Sequence, residues 1–185
     1  MYEQYLFTDA YLPITDEAVH LSDYHRWLVC LNVDTNEMIR LTDLTEIGTD
    51  TIFSFIFGAR SGKVYYVTQA EQLYEVDVMN GQNRIILDAD AEEQPCFWNF
   101  YAGIEEDWFW YAVTDNETSA TIKEIRKISL SDGRKETVLY FPCRAFSVCH
   151  GSIYCVKQEF FTDGSNWRHF TLYRFNMDGT GETEL

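Results

Sequence analysis

Leu172-Tyr-Arg-Phe-Asn-Met-Asp178, followed at once by Gly179, reads as a strand running into a tight hairpin turn. The same form stands three more times, in Leu28-Val-Cys-Leu-Asn-Val-Asp34, Leu73-Tyr-Glu-Val-Asp-Val-Met79 and Ile125-Arg-Lys-Ile-Ser-Leu-Ser131. The turns that follow are Asp34-Thr35-Asn36, Asn80-Gly81, Asp132-Gly133 and Asp178-Gly179, where Asn or Gly can take a positive φ. Each copy closes on a leucine. Leu41, Leu87, Leu139 and Leu185 advance by 46, 52 and 46 residues, and opening and closing residues are 13, 14, 14 and 13 apart. Two spacings held together mark a fourfold repeat.

Upstream of each pair lies another strand rich in aromatic and β-branched residues: Tyr5-Leu-Phe-Thr-Asp9, Val64-Tyr-Tyr-Val-Thr-Gln69, Phe109-Trp-Tyr-Ala-Val-Thr-Asp115 and Ile153-Tyr-Cys-Val-Lys-Gln158. With Thr8, Thr68, Thr114 and Lys157 aligned, 20, 5, 11 and 15 residues remain to the next anchor. This connecting loop varies most, and variable loops on a fixed frame carry recognition. A further strand precedes three of these, in Phe53-Ser-Phe-Ile-Phe57, Trp98-Asn-Phe-Tyr-Ala102 and Ala145-Phe-Ser-Val148. Four antiparallel strands per copy is the arithmetic of a β-propeller blade. The expected fold is all-β, an array of four antiparallel blades over 1–45, 46–91, 92–142 and 143–185 in one domain. The first blade lacks its inner strand, because that strand would fall before Met1. An open half-ring or a fragment of a larger propeller fits this count better than a closed four-blade ring.

Leu6-Phe7-Thr8-Asp9, Tyr66-Val67-Thr68-Gln69 and Ala112-Val113-Thr114-Asp115 resemble degenerate copies of the Tyr-Trp-Thr-Asp repeat of low-density-lipoprotein-receptor-type propellers. The tail Leu172-Tyr-Arg-Phe-Asn-Met-Asp-Gly-Thr-Gly181 is similar to bacterial propeller domains of unknown function related to that class. The resemblance implies blade geometry and leaves activity open, since similar propellers serve as ligand platforms, scaffolds and enzymes.

Composition narrows the partners. Thirty acids against 14 Lys and Arg give a formal charge of −16, so nucleic acid and anionic lipid are repelled; neither is expected as a partner. The most apolar run, Thr51 to Ala59, is too short to span a bilayer. Met1-Tyr2-Glu3-Gln4 lacks a basic signal-peptide start. Five cysteines without a Cys-x-x-Cys pair suit reduced, buried thiols and hence the cytoplasm, or the cell exterior if the chain is a fragment. Cys149 and Cys155, on neighbouring strands of one hairpin, are placed to approach each other.

No motif specifies a reaction, a cofactor or a metal. Asp88-Ala-Asp-Ala-Glu-Glu93 lacks the ligand spacing of a calcium loop and reads as a solvated connection. Glu105-Glu106-Asp107 reads as a polar hairpin tip that could supply carboxylates for acid–base work. The histidines His20, His25, His150 and His169 fall in loop stretches, with only His20 and His25 in one insertion, and no helical metal pair results. The aromatic cluster from Phe97 to Tyr111 is mainly core, since both faces of a middle blade are covered. The binding candidates are therefore Trp167 and His25, at variable loops, and Trp98, at the aromatic cluster. The expected function is a non-catalytic binding or scaffold module. Its variable loops Ala10–His25, Asp115–Ala120 and Glu159–His169 would face a peptide, protein or glycan. The alternative is a hydrolase or lyase with an acidic site at the propeller mouth. Unblocked blade edges add the expectation of a homodimer.

Overall fold

A computed structural model of the chain describes residues 5–13, 24–43, 55–60, 62–67, 72–88, 95–96, 102–114, 121–160 and 168–185. Among them no helix occurs, and sixteen strands form four antiparallel sheets. The chain divides into two compact units, Met1–Asp88 and Ala89–Leu185. The division falls beside the 91/92 repeat boundary.

The first unit opens with a three-stranded sheet, β1 (Tyr5–Pro13), β2 (Tyr24–Asn32) and β3 (Glu37–Asp43), in that order. Among the described residues no strand pairs with the other edge of β1. The second sheet follows as β4 (Phe55–Arg60), β5 (Lys63–Val67), β6 (Leu73–Asp77) and β7 (Asn83–Leu87). The aromatic and β-branched residues that define the copies make these strands, and Asn36 and Gly81, at φ of 56° and 69°, make two of the turns. Alternation sends Leu28, Cys30 and Leu41 of the first sheet into one core with Val64, Tyr66, Tyr74 and Val76 of the second. Tyr66 and Tyr74 stack there at 5.2 Å. A Cβ at Gly81 would run into the Leu41 carbonyl, so this turn tip lies against the outer strand of the preceding sheet.

The second unit repeats the plan with one difference. The third sheet contains β8 (Pro95–Cys96), β9 (Ala102–Glu105), β10 (Trp108–Thr114), β11 (Ile122–Ser129) and β12 (Lys135–Cys143). Both β8 and β9 pair with β10, so two short segments share the inner position expected for one strand. The fourth sheet runs β13 (Ala145–Cys149), β14 (Ser152–Phe160), β15 (Arg168–Asn176) and β16 (Thr183–Glu184). Ile125 and Leu139 of the third sheet share a core with Ile153, Cys155 and Phe175 of the fourth. Burying each such side chain contributes about 1.5–3 kcal/mol, so these junctions between sheets dominate the stability of each unit.

Register corrects two alignments: in the first sheet Asp9, one residue after the aligned Thr8, faces Leu28. Val67 faces Leu73 and Val156 faces Leu172, each one residue before the aligned position. In the third sheet Ala112, two residues before Thr114, faces Ile125. Matching residue types places these threonines out of step because a β-branched residue suits several positions of one strand.

Candidate functional site

His25 is the second residue of β2, opposite Leu12 of β1, and stands directly after residues 14–23. Its Nδ1 lies 2.7 Å from Oδ2 of Asp43, which is positioned opposite Trp27 at the end of β3. A carboxylate on one ring nitrogen fixes the tautomer and orientation of an imidazole. Nε2 is then the atom able to meet a ligand. The imidazole is 38% exposed and Asp43 13%, which puts the pair at the surface with its anchor half sheltered.

His169 repeats this placement. It is the second residue of β15, directly after residues 161–167, and its Nε2 lies 3.2 Å from Oε2 of Glu159 across the ladder. Lys157 Nζ is 2.6 Å from the other oxygen of Glu159. That hydrogen bond holds the Glu159 carboxyl below the usual carboxylate range and raises the lysine. Both histidines stand three residues before their anchors, Leu28 and Leu172. The assignment of both to loops is thereby corrected. Cross-strand pairing extends β1 to Pro13 and starts β2 at Tyr24, and it likewise carries β14 to Phe160 and starts β15 at Arg168. Counting back from the anchors would have brought the two together. Trp167 and Trp98 lie outside the described residues, as do His20 and residues 89–94 of the acidic stretch. His150 is an exposed turn residue at φ 49°.

A second concave feature lies between β9, β10 and β13. It is a cavity of about 80 Å³ lined by Ile104, Glu105, Trp110, Phe146, Ser147 and Val148, with Gly103 at its edge. Glu105 is its one carboxylate; Glu106 and Asp107 are exposed on the β9–β10 turn, with Glu106 at φ 54°. Acid–base catalysis on a glycosidic bond uses two placed groups, and among the described lining residues Glu105 is one candidate.

Two further polar groupings are structural. Glu75 is 5% exposed and accepts hydrogen bonds from Lys63 (2.6 Å), Arg84 (2.9 Å) and the Tyr65 hydroxyl (3.1 Å). Burial pushes its carboxyl up, but the bonds from Arg84 and Lys63 outweigh burial and leave it below the ordinary range. Among the cysteines, Cys149 faces Ser152 and Cys155 faces Phe146, so the two expected neighbours stand three ladder positions apart. Cys155 instead meets Cys143. The hydrogen bond between these thiols, with burial in an apolar core, raises the Cys143 thiol far above its usual value. Such thiols are inert at neutral pH. Among the described residues no three His, Cys, Asp or Glu side chains converge in a way that could hold a metal ion.

No sequence family and no curated protein matches the chain. Solved structures do. It is similar to an oligogalacturonate lyase in complex with manganese at a TM-score of 0.65 and 10% identity, over 97% of this chain and 49% of that one. The oligogalacturonate lyase of Vibrio parahaemolyticus matches at 0.52 and 14% identity, over 97% and 59%. At such identities the likeness shows the fold, an all-β propeller-like domain. This chain spans between half and three-fifths of the length of those two chains.

Proposed function

We propose that this chain is a non-catalytic binding or scaffold module that offers the β1–β2 and β14–β15 connections to a peptide, protein or glycan. The observation that carries this reading is the recurrence of one device. At the root of each of these two connections a histidine on a rigid strand is held by a carboxylate, His25 by Asp43 and His169 by Glu159. His25, bound through Nδ1, presents Nε2 in a fixed direction, which is what specific recognition needs, whereas Nδ1 of His169 is buried and this histidine braces the start of its strand. Trp167, within the second connection, would add an aromatic anchor. Arrays of glycans and peptides test the reading. Ligand should be lost at least tenfold in Trp167→Ala and His25→Ala while the circular dichroism of the fold is kept. Arrays on which nothing binds would remove it.

The two lyase neighbours favour a second reading, cleavage of an acidic polysaccharide by elimination, with Glu105 as the candidate base at its cavity. A chain of charge −16 repels a polyanionic substrate, which is why binding is preferred. Incubation with oligogalacturonate decides it. Ultraviolet absorbance of an unsaturated product, lost in Glu105→Gln, supports elimination; no product over a day ends it.

A further inference from the structure

In three copies of the repeat the anchor and the closing leucine are buried: Leu28 and Leu41 are 1% and 6% exposed, Leu73 and Leu87 0% and 1%, Ile125 and Leu139 0% and 8%. In the fourth copy Leu172 and Leu185 are 39% and 60% exposed. Direction explains the contrast. Leu28 and Leu41 point from the first sheet into the core shared with the second, and Ile125 and Leu139 from the third into the core shared with the fourth. On β15, Tyr173 and Phe175 turn back toward Phe141 of the third sheet, so Leu172 turns away from it. Leu172 lies opposite Val156, the Leu185 N–H bonds the Leu172 carbonyl, and Phe170 on the same face is 59% exposed. The fourth sheet therefore presents, uncovered, the face with which the first and third sheets receive their successors.

The first sheet presents the other half of the same junction. Phe7, Leu28 and Cys30 face the second sheet, so the cross-strand row Leu6, Leu31 and Met38 faces the opposite way. Leu6 is 51% and Met38 45% exposed. In the second and fourth sheets the residue that faces the third position after the anchor, as Leu6 faces Leu31, is Val64 or Ile153, and each is packed into the core shared with the preceding sheet.

We infer that the outer face of the fourth sheet docks on the outer face of the first sheet of a second copy of this chain, giving a head-to-tail dimer. A second copy is the occupant because it carries the matching half of a junction that the chain already builds twice. The contact is apolar and opposed by a charge of −16 on each copy, so salt strengthens it by screening.

Sedimentation equilibrium of the full chain, over a range of concentrations and at low and high salt, tests the inference. The expected result is a monomer–dimer equilibrium, tighter at high salt. Leu172→Glu and Leu6→Glu, both at exposed positions, should each weaken it more than tenfold with unchanged circular dichroism. An equal mixture of the two variants should dimerise better than either alone, because one copy's intact fourth sheet meets the other's intact first sheet. A monomer at every concentration, a dimer indifferent to both substitutions, or a mixture no better than its parts would each overturn the inference.

Discussion

Strands β10 and β14 hold corresponding places in their sheets and are buried in different ways. Phe109, Trp110, Tyr111, Ala112 and Val113 of β10 are all at most 4% exposed, so both of its faces are covered. In β14 burial alternates, with Ile153 and Cys155 buried and Tyr154 and Val156 only partly so. The second sheet behaves like the third, since Val64 to Val67 of β5 are at most 3% exposed. Composition barely separates the two kinds of strand, because aromatic and β-branched residues build both. A strand's place in the series, rather than its own residues, sets how many of its faces are buried.

The largest expected effect tests that difference directly. Phe109→Ala should cost about 3–5 kcal/mol in denaturant unfolding, as large-to-small changes in closed cores do. Phe170→Ala, on the open face of the fourth sheet, should stay within about 0.5 kcal/mol in dilute solution. Equal losses would mean that the fourth sheet is as enclosed as the third.

Turns sharpen the comparison next. A Cβ at Gly179 would strike the Val138 carbonyl of the preceding sheet, whereas one at Gly133 would meet open space, and both residues have positive φ, 80° and 74°. Gly133→Ala should therefore cost only the left-handed backbone term of about 1–2 kcal/mol. Gly179→Ala should cost that and the displacement of its neighbour as well. Thermal unfolding of the two variants side by side gives the ranking, and the reverse order would deny the contact between turn and preceding sheet.

Charge gives an effect of similar size that depends on pH. Glu75→Gln should lose about 1.5–3 kcal/mol at neutral pH, the range for hydrogen bonds to a charged group, and toward its lower end because Arg84 and Lys63 regain water. The Glu75 carboxyl is held below its unfolded value. Its contribution is thus complete above the ordinary carboxylate pKa and lost as pH falls through the folded one. The gap between wild type and variant should close in acid; a gap constant with pH would place the effect in packing.

Much of the fold was legible because turn chemistry and anchor leucines recur at fixed spacing, and both follow from local rules. Asn36, Gly81, Gly133 and Gly179 each adopt the positive φ that their dipeptides suggested. The split of the inner strand into β8 and β9 was not legible, since cross-strand pairing of residues as ordinary as Pro95 and Cys96 depends on what β10 offers. The candidate site was half legible. His25 stood out by its loop, but its link to Asp43 and its correspondence with His169 arise only when strands pair across the sheet. Cys143 and Cys155 escaped for a similar reason: their contact joins two sheets, and sequence proximity pointed to Cys149 instead.

The central claim is that within each unit one sheet leans on the next through the residues that open and close the repeat. Methyl and aromatic nuclear Overhauser effects measure this most directly. Cross-peaks are expected from Leu28 and Leu41 to Val64, Tyr66, Tyr74 or Val76, and from Ile125 and Leu139 to Ile153 or Phe175. In dilute monomer Leu172 should show only contacts within its own sheet. Absence of the first two sets, or contacts from Leu172 to a further sheet of the same monomer, would contradict the account.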